Sequence, residues 1–456
     1  MQASASIAGH EVERSALPLL VTLSLGVFLG ALDLSVLAPA LPALGKAFDV
    51  AIGDLSWVFT LYLLVNIVGI AVMSTLADRY GRRAVYIACI AVFTAGSVLA
   101  IVSHSYGVFL LARGIQAFGA GGIFPVATAA IGDVIPAKRR GAALGMVAAT
   151  WGLAAIAGPL YGGLVTHVAS WRWIFAPNLP IAAVVFVLAM RHVPGNAPKV
   201  RGPLDVWGLL LLCTGLLLLS FGITQLRAAP IAIGVVILAL FALWEQACRF
   251  PIVSMQLFRN AQLAKTFLLE IVIGMLEGSL FFIPAVLVGA QHLSYAAAGA
   301  IAAIGAVMFV IVIPVSGRAL DRIGSRNVLL GGTLLTEIGL VMFAAGFSML
   351  WLSVVSMIVA GVGFGALLGA PTRYIVTNQT TETTRATAVG LLSQFLIIGQ
   401  ILGAALAGGI MGNAASDTAA YRTTYVAFAA IAFLALLVTA TLAPRSLERR
   451  RNLPAT

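Results

Sequence analysis

Five ionisable side chains stand inside stretches that are otherwise apolar: Asp33 in GVFLGALDLSVLAPALPAL (residues 26–44), Arg113 in the run 107–131, Glu270 and Glu277 in 264–291, and Glu337 in 327–346. Charges in such surroundings are costly, face a protein interior or a water-filled cavity, and commonly pair. A carboxylate placed there can take up and release a proton or hold an organic cation. An arginine, which does not give up its proton, favours the ionised form of a nearby acid. Other chemistries have little material. The histidines at 10, 104, 167, 192 and 292 fall in loops or at the ends of runs, and Cys89, Cys213 and Cys248 have no paired spacing. Neither a metal site, a disulfide nor an enzyme constellation is expected. With no adenine-nucleotide motif and no cofactor, an ion gradient is the expected energy source.

The elements that must position these groups are long apolar helices. The 456 residues are 61% hydrophobic and 9% charged, with a mean hydropathy of +1.05, against roughly 25% charged residues in an average soluble domain. Apolar runs recur at about 17–40, 54–77, 84–103, 107–131, 141–166, 171–190, 205–224, 229–247, 264–291, 297–319, 327–346, 349–372, 386–412 and 423–443. Each is long enough to cross a hydrocarbon core of about 30 Å as a helix, which satisfies its own backbone polar groups. The chain is therefore expected to be an all-α integral membrane protein with 14 transmembrane helices.

A formal charge of +11 would also suit a nucleic-acid partner, but the positions of the 27 Lys and Arg speak against one. With the N-terminus cytoplasmic, external loops hold only Lys46, Arg172, Arg227 and Arg422, Arg113 lies within a run, and the others fall in cytoplasmic segments. This is the positive-inside pattern, with both termini cytoplasmic. The first run exceeds a signal-peptide core and follows a weakly charged segment, so cleavage is not expected. Arginine outnumbers lysine, which points to a GC-rich bacterial genome and a bacterial cytoplasmic (inner) membrane.

The chain also repeats itself. STLADRYGRR (74–83) has a partner in GRALDRIGSR (317–326), with Asp78 and Asp321 offset by 243. RGAALGMVAATWGLAAIAG (140–158) aligns with RATAVGLLSQFLIIGQILG (385–403) at an offset of 245. The excess over one six-helix half is the size of a helical hairpin, which runs seven and eight fill. The expected organisation is a cytoplasmic segment (1–16), an N-terminal six-helix bundle (17–191), linkers with an inserted hairpin (192–260), a C-terminal six-helix bundle (261–443) and a basic tail (444–456). At an offset of 244 Asp33 corresponds to Glu277, whereas Arg113 corresponds to Met357. Glu270 precedes Glu277 by two helical turns, so both can share a face. Asp33 and Arg113 both sit roughly 10 Å below the outer surface, counted at about 1.5 Å per residue.

Each motif has a plain reading beside a functional one. In AIAGPLYGG the small residues at 154, 158 and 162 share a helix face, and Pro159 favours a bend, which a packing face alone would explain. Arg79, Arg82 and Arg83 are explained by topology, but Asp78 beside Gly81, repeated as Asp321 and Arg322 beside Gly324, suggests a charge-assisted latch that breaks and reforms. Asp33 can be a proton site or a residue that holds a helix end by hydrogen bonds. Glu337, Gln116, Gln394 and Gln400 can line a polar cavity or make contacts within a bundle.

These residues resemble the major facilitator superfamily, specifically its fourteen-helix drug:proton antiporters, over nearly the whole chain. ALDLSVLAPALP is similar to the family's first-helix signature, LADRYGRR to its loop between helices two and three, RGIQAFGAGG to its fourth-helix signature, GLAAIAGPLYGG to its fifth-helix antiporter signature and WRWIFAPNLP to the start of its sixth helix. Ser74 and Ala117 stand where those motifs usually have Gly. The resemblance implies two six-helix bundles working by alternating access, and Gly158, Pro159, Gly162 and Gly163 imply export in exchange for protons.

The expected function is proton-coupled export of amphipathic, cationic or neutral organic compounds by a monomer in the bilayer. Asp33, Arg113 and Glu277 would couple protons; Glu270, Glu277, Glu337, Gln116 and Gln394 would meet substrate; Asp78, Arg79, Gly81, Arg82, Asp321 and Arg322 would form the latch. A lipid, fatty-acid or metabolite exporter fits the same residues. An uptake symporter fits less well because of the fifth-helix signature, and a non-transporting sensor would show no turnover.

Overall fold

The computed structural model describes residues 2–195, 204–414 and 416–444; most of the expected linker at 194–203 and the basic tail lie outside them. Among the described residues every regular element is helical. In chain order they are α1 (Gln2–Ser35), α2 (Leu41–Phe48), α3 (Trp57–Tyr80), α4 (Arg82–Ile101), α5 (Tyr106–Val134), α6 (Ala137–Val168), α7 (Asn178–His192), α8 (Val206–Thr224), α9 (Ala228–Ala247), α10 (Ala261–Leu280), α11 (Ile283–Gln291), α12 (Tyr295–Ile323), α13 (Ser325–Gly346), α14 (Leu350–Leu367), α15 (Pro371–Gln379), α16 (Glu382–Gly412) and α17 (Asp417–Ala440). They group into 14 segments long and apolar enough to cross a membrane, matching the 14 apolar runs.

Three segments are broken where the sequence suggested one run. The first continues from α1 through a short 3-10 turn into α2, the ninth from α10 into α11, and the twelfth from α14 into α15. Each restart carries a proline at its first or second position. Proline lacks a backbone N–H and sits readily at a helix start, where that donor would have no intrahelical partner. The breaks in the first and ninth segments occupy repeat-equivalent places, so the duplication is visible in backbone geometry as well as in residue types.

The repeat is sharper at two glycines. Gly81 (φ 94°) joins α3 to α4 and Gly324 (φ 83°) joins α12 to α13. With ψ of 152° and 163°, both occupy a region that is essentially glycine's alone. The paired motifs thus enforce the same sharp connection in both halves.

The chain separates into two compact units, one of Met1–Leu37, Val65–Tyr161 and Val168–Leu204, the other of Ala38–Leu64, Gly162–His167 and Asp205–Thr456. The first is built on a cluster that includes Leu23, Val27, Tyr86, Phe93, Ile123 and Val185, from α1, α4, α5 and α7. In the second, α10 lies against α16 at backbone distance: a Cβ on Gly278 would come 2.7 Å from the Gln400 carbonyl oxygen. Small residues at such a seam let two helices approach without a hydrophobic driving force from water. The hairpin α8–α9 belongs to the second unit and packs through α8 on α16, where the Thr224 hydroxyl lies 3.4 Å from the Ala405 carbonyl. Only 17% of the apolar window of α9 is buried, the lowest value among the spans.

Candidate functional site

In the first unit, Asp33 stands two residues before the end of α1 and is fully buried, as are Arg113, Gln116 and Ser97, while Asn178 is 1% exposed. Arg113 and Gln116, three residues apart, project from one face of α5. Arg113 Nη1 lies 2.5 Å from Asp33 Oδ2 and donates to Gln116 Oε1 at 2.9 Å. Gln116 Nε2 donates to Asp33 Oδ1 (3.0 Å) and Ser97 Oγ (2.9 Å). Asn178 Nδ2, on the first residue of α7, donates to the same two oxygens at 3.0 and 3.1 Å. Ser97 closes the set by donating to the Phe93 carbonyl at 3.1 Å.

Three helices, α1, α5 and α7, thus meet at one carboxylate whose two oxygens already accept from three side chains, and α4 joins them through Ser97. Arg113 occupies the approach to Oδ2. Movement of α1 against α5 and α7 must therefore break charge-assisted hydrogen bonds to this carboxylate. Gln116, expected among substrate contacts, here engages both ends of its amide within this network.

The fifth-helix motif bears on the same helix end. Ser35 Oγ, two residues after Asp33, lies 2.9 Å from the Ala154 carbonyl. A Cβ on Gly158 would come 2.6 Å from the Ser35 Cβ. Ala154 packs with Ala31 and Leu32. Pro159 leaves the carbonyl four residues back without its helical donor. Gly162 is buried, and a Cβ on Gly163 would meet the Tyr295 carbonyl of α12 at 2.5 Å.

At the α3–α4 connection Asp78 and Arg82 are buried at 7% and 6% exposure. Arg82 is shared between Asp78 (2.6 Å) and Asp133 at the end of α5 (3.2 Å), so one guanidinium ties three helix ends. Gly81 supplies the turn between them. Arg79 is exposed, its guanidinium 5.6 Å from the Tyr80 ring centroid. In the second repeat Asp321 and Arg322 are exposed. The two motifs share a backbone and differ in burial.

In the second unit Glu277 is partly exposed on α10 and accepts from Gln400 Nε2 at 2.9 Å. Glu270 is 6% exposed, beside Thr372 and within electrostatic reach of Arg373 and Glu277. Its Oε2 is buried without a hydrogen-bond partner. Glu337 and Gln394 are partly exposed on α13 and α16, and no described hydrogen bond joins them to the other acids. Met357 is buried on α14 at the position equivalent to Arg113. The second unit retains an acid and lacks its arginine.

Ser97, Asn178 and Asp133 were not singled out from the sequence. Asn178 carried a usable signal, an amide at the start of an apolar run inside a quoted motif, WRWIFAPNLP. Ser97 carried none, since a serine within a membrane helix commonly bonds its own backbone.

The chain matches the Major Facilitator Superfamily over residues 23–263 and 266–456. It is 31% identical over 416 residues to the uncharacterized MFS-type transporter YfiU of Bacillus subtilis (strain 168), covering 85% of this chain and 78% of that one. It is 27% identical over 436 residues to the multidrug transporter protein MdtP of the same organism, covering 89% and 78%. Its fold superimposes on a crystal structure of a D-xylose-proton symporter with a TM-score of 0.72 at 14% identity, covering 95% of this chain and 99% of that one. With its 14 apolar helices and internal repeat, the chain belongs to the major facilitator superfamily of membrane transporters.

Proposed function

We propose that this transporter exports amphipathic, cationic or neutral organic compounds in exchange for protons by alternating access, as a monomer in a bacterial cytoplasmic membrane with both termini cytoplasmic. The observation that carries the reading is the buried Asp33–Arg113–Gln116–Asn178 network, in which a titratable group is wired to two other helices, and through Ser97 to a third. Gly158 and Pro159 beside the same helix end, and a relative named as a multidrug transporter, support it. Asp33 exchanges the proton, Arg113 sets its affinity, and Glu277 with Gln400 meets cationic substrate. Asp78, Arg82 and Asp133 form a latch that breaks and reforms during the cycle. The six-helix bundles at 17–191 and 261–443 are the moving parts, joined through the segment 192–260.

The test is transport by purified protein in liposomes under an imposed pH gradient, with one cationic amphipath, one neutral amphipath and a long-chain fatty acid. Export of either amphipath that collapses with the gradient supports the reading. Transport indifferent to the gradient, or driven with the proton flux, overturns antiport. Transport of the fatty acid alone favours the lipid-exporter alternative.

A further inference from the structure

A second pair of acids lies outside the machinery above, at the base of the hairpin. Asp205 caps α8, accepting from the Gly208 amide at 2.9 Å, and Trp244 Nε1 donates to both of its oxygens at 3.0 Å. Glu245, the next residue on α9, accepts from the Val253 amide at 2.8 Å through Oε2. Asp205 is 9% exposed and Glu245 2%. Glu245 Oε1 is buried and receives no hydrogen bond. It points at Asp205: a Cβ on Gly208 would meet both Asp205 Oδ2 and Glu245 Oε1, the latter at 2.7 Å, and the two carboxyls lie within hydrogen-bond reach.

Glu245 Oε1 thus faces an acceptor, Asp205 Oδ2, and has no donor of its own. The described groups around them are the Gly208, Ile252 and Val253 amides, the Trp244 indole and the Cys248 thiol, which faces Asp205. The described ion pairs lie elsewhere, and Arg249 stacks on Phe250. Among the described residues no cation pairs with either carboxyl, and one proton held between the two gives Glu245 Oε1 its missing partner. We infer that Asp205 and Glu245 form a site for a single shared proton, and that this proton holds closed a clasp joining the two ends of the hairpin to the segment entering α10. The ligand is a proton, the bond formed is O–H···O between the two carboxyls, and loss of the proton leaves two negative charges in contact that drive the clasp open. The closed clasp binds the proton and the open one releases it, so closure is complete at low pH and is lost as pH rises through the titration of the pair.

Hydrogen exchange of the full-length protein in lipid nanodiscs, followed at the Val253 amide, reads the clasp directly. Base-catalysed exchange alone raises the rate about tenfold per pH unit, and opening that requires loss of one proton adds about another tenfold. The wild type should therefore show about a hundredfold rise per pH unit across the titration of the pair. Glu245→Gln and Asp205→Asn should each show about tenfold, because either amide supplies the missing donor without titrating. A tenfold slope in the wild type throughout pH 5 to 9, or a hundredfold slope retained in both variants, overturns the inference. So does closure of the wild-type clasp at high pH by sodium, potassium or magnesium, which would make the pair a cation site. If one variant does not fold, the other decides.

Discussion

Replacing Asp33 by asparagine removes the negative partner of Arg113 while both positions remain sealed from solvent. Arginine cannot shed its proton, so the variant must bury the guanidinium without the Asp33 carboxylate, at a cost of about 3–5 kcal/mol. The new amide also turns its NH2 toward either Arg113 or the Gln116 and Asn178 donors, because both oxygens of Asp33 are acceptors in the native network. Arg113→Met differs in kind: the remaining carboxyl keeps its two amide donors and can neutralise itself by taking a proton. Its cost should be nearer that of a lost buried hydrogen bond, about 1–3 kcal/mol. The double variant Asp33→Asn/Arg113→Met buries no charge and should recover most of the loss. Unfolding equilibria of the four proteins in one lipid or detergent system form a double-mutant cycle. The expected coupling is about 2 kcal/mol or more, roughly a thirtyfold change in the folding equilibrium. Losses that add within about 0.5 kcal/mol would refute the reasoning, because the ion pair would then not be an energetic unit. In the same preparations Asp33→Asn should lose pH-driven transport even where it folds and binds substrate.

Asn178→Ala removes a donor shared by Asp33 and Ser97, and should shift the pH profile of transport while leaving substrate binding nearly intact; an unchanged profile would make Asn178 only a packing residue. Asp78→Asn should slow turnover severalfold with equilibrium binding nearly unchanged, read by pre-steady-state transport beside a binding isotherm, since Arg82 would retain only Asp133. Gly81→Ala should cost about 1–3 kcal/mol in an unfolding assay and slow the cycle, because its backbone lies in a region that a Cβ disfavours. Glu277→Gln should reduce transport of a cationic substrate well below that of a neutral one, measured side by side across the same pH gradient.

The number of spans and the duplication were legible from residue order, because hydropathy and repeats are local properties. So were Asp33 and Arg113 as a pair at one depth, since a helix converts residue number directly into height. Other features depended on how each helix is rotated about its axis and which neighbour it packs against, which residue order does not encode in any short window. Asn178 reaches Asp33 from 145 residues away along the chain, and Ser97, on another helix, joins the network by accepting from Gln116 and Asn178. Arg82 is drawn to Asp133, 51 residues on, as well as to its own neighbour Asp78. Glu270 and Glu277 share a helix face in sequence, yet one is sealed beside Thr372 and the other stays partly open beside Gln400. The matched motifs around Asp78 and Asp321 bend the backbone alike through Gly81 and Gly324, a demand of the residue type itself. Whether the adjoining carboxylate is buried is set by the helices packed around it, and only tertiary structure decides that.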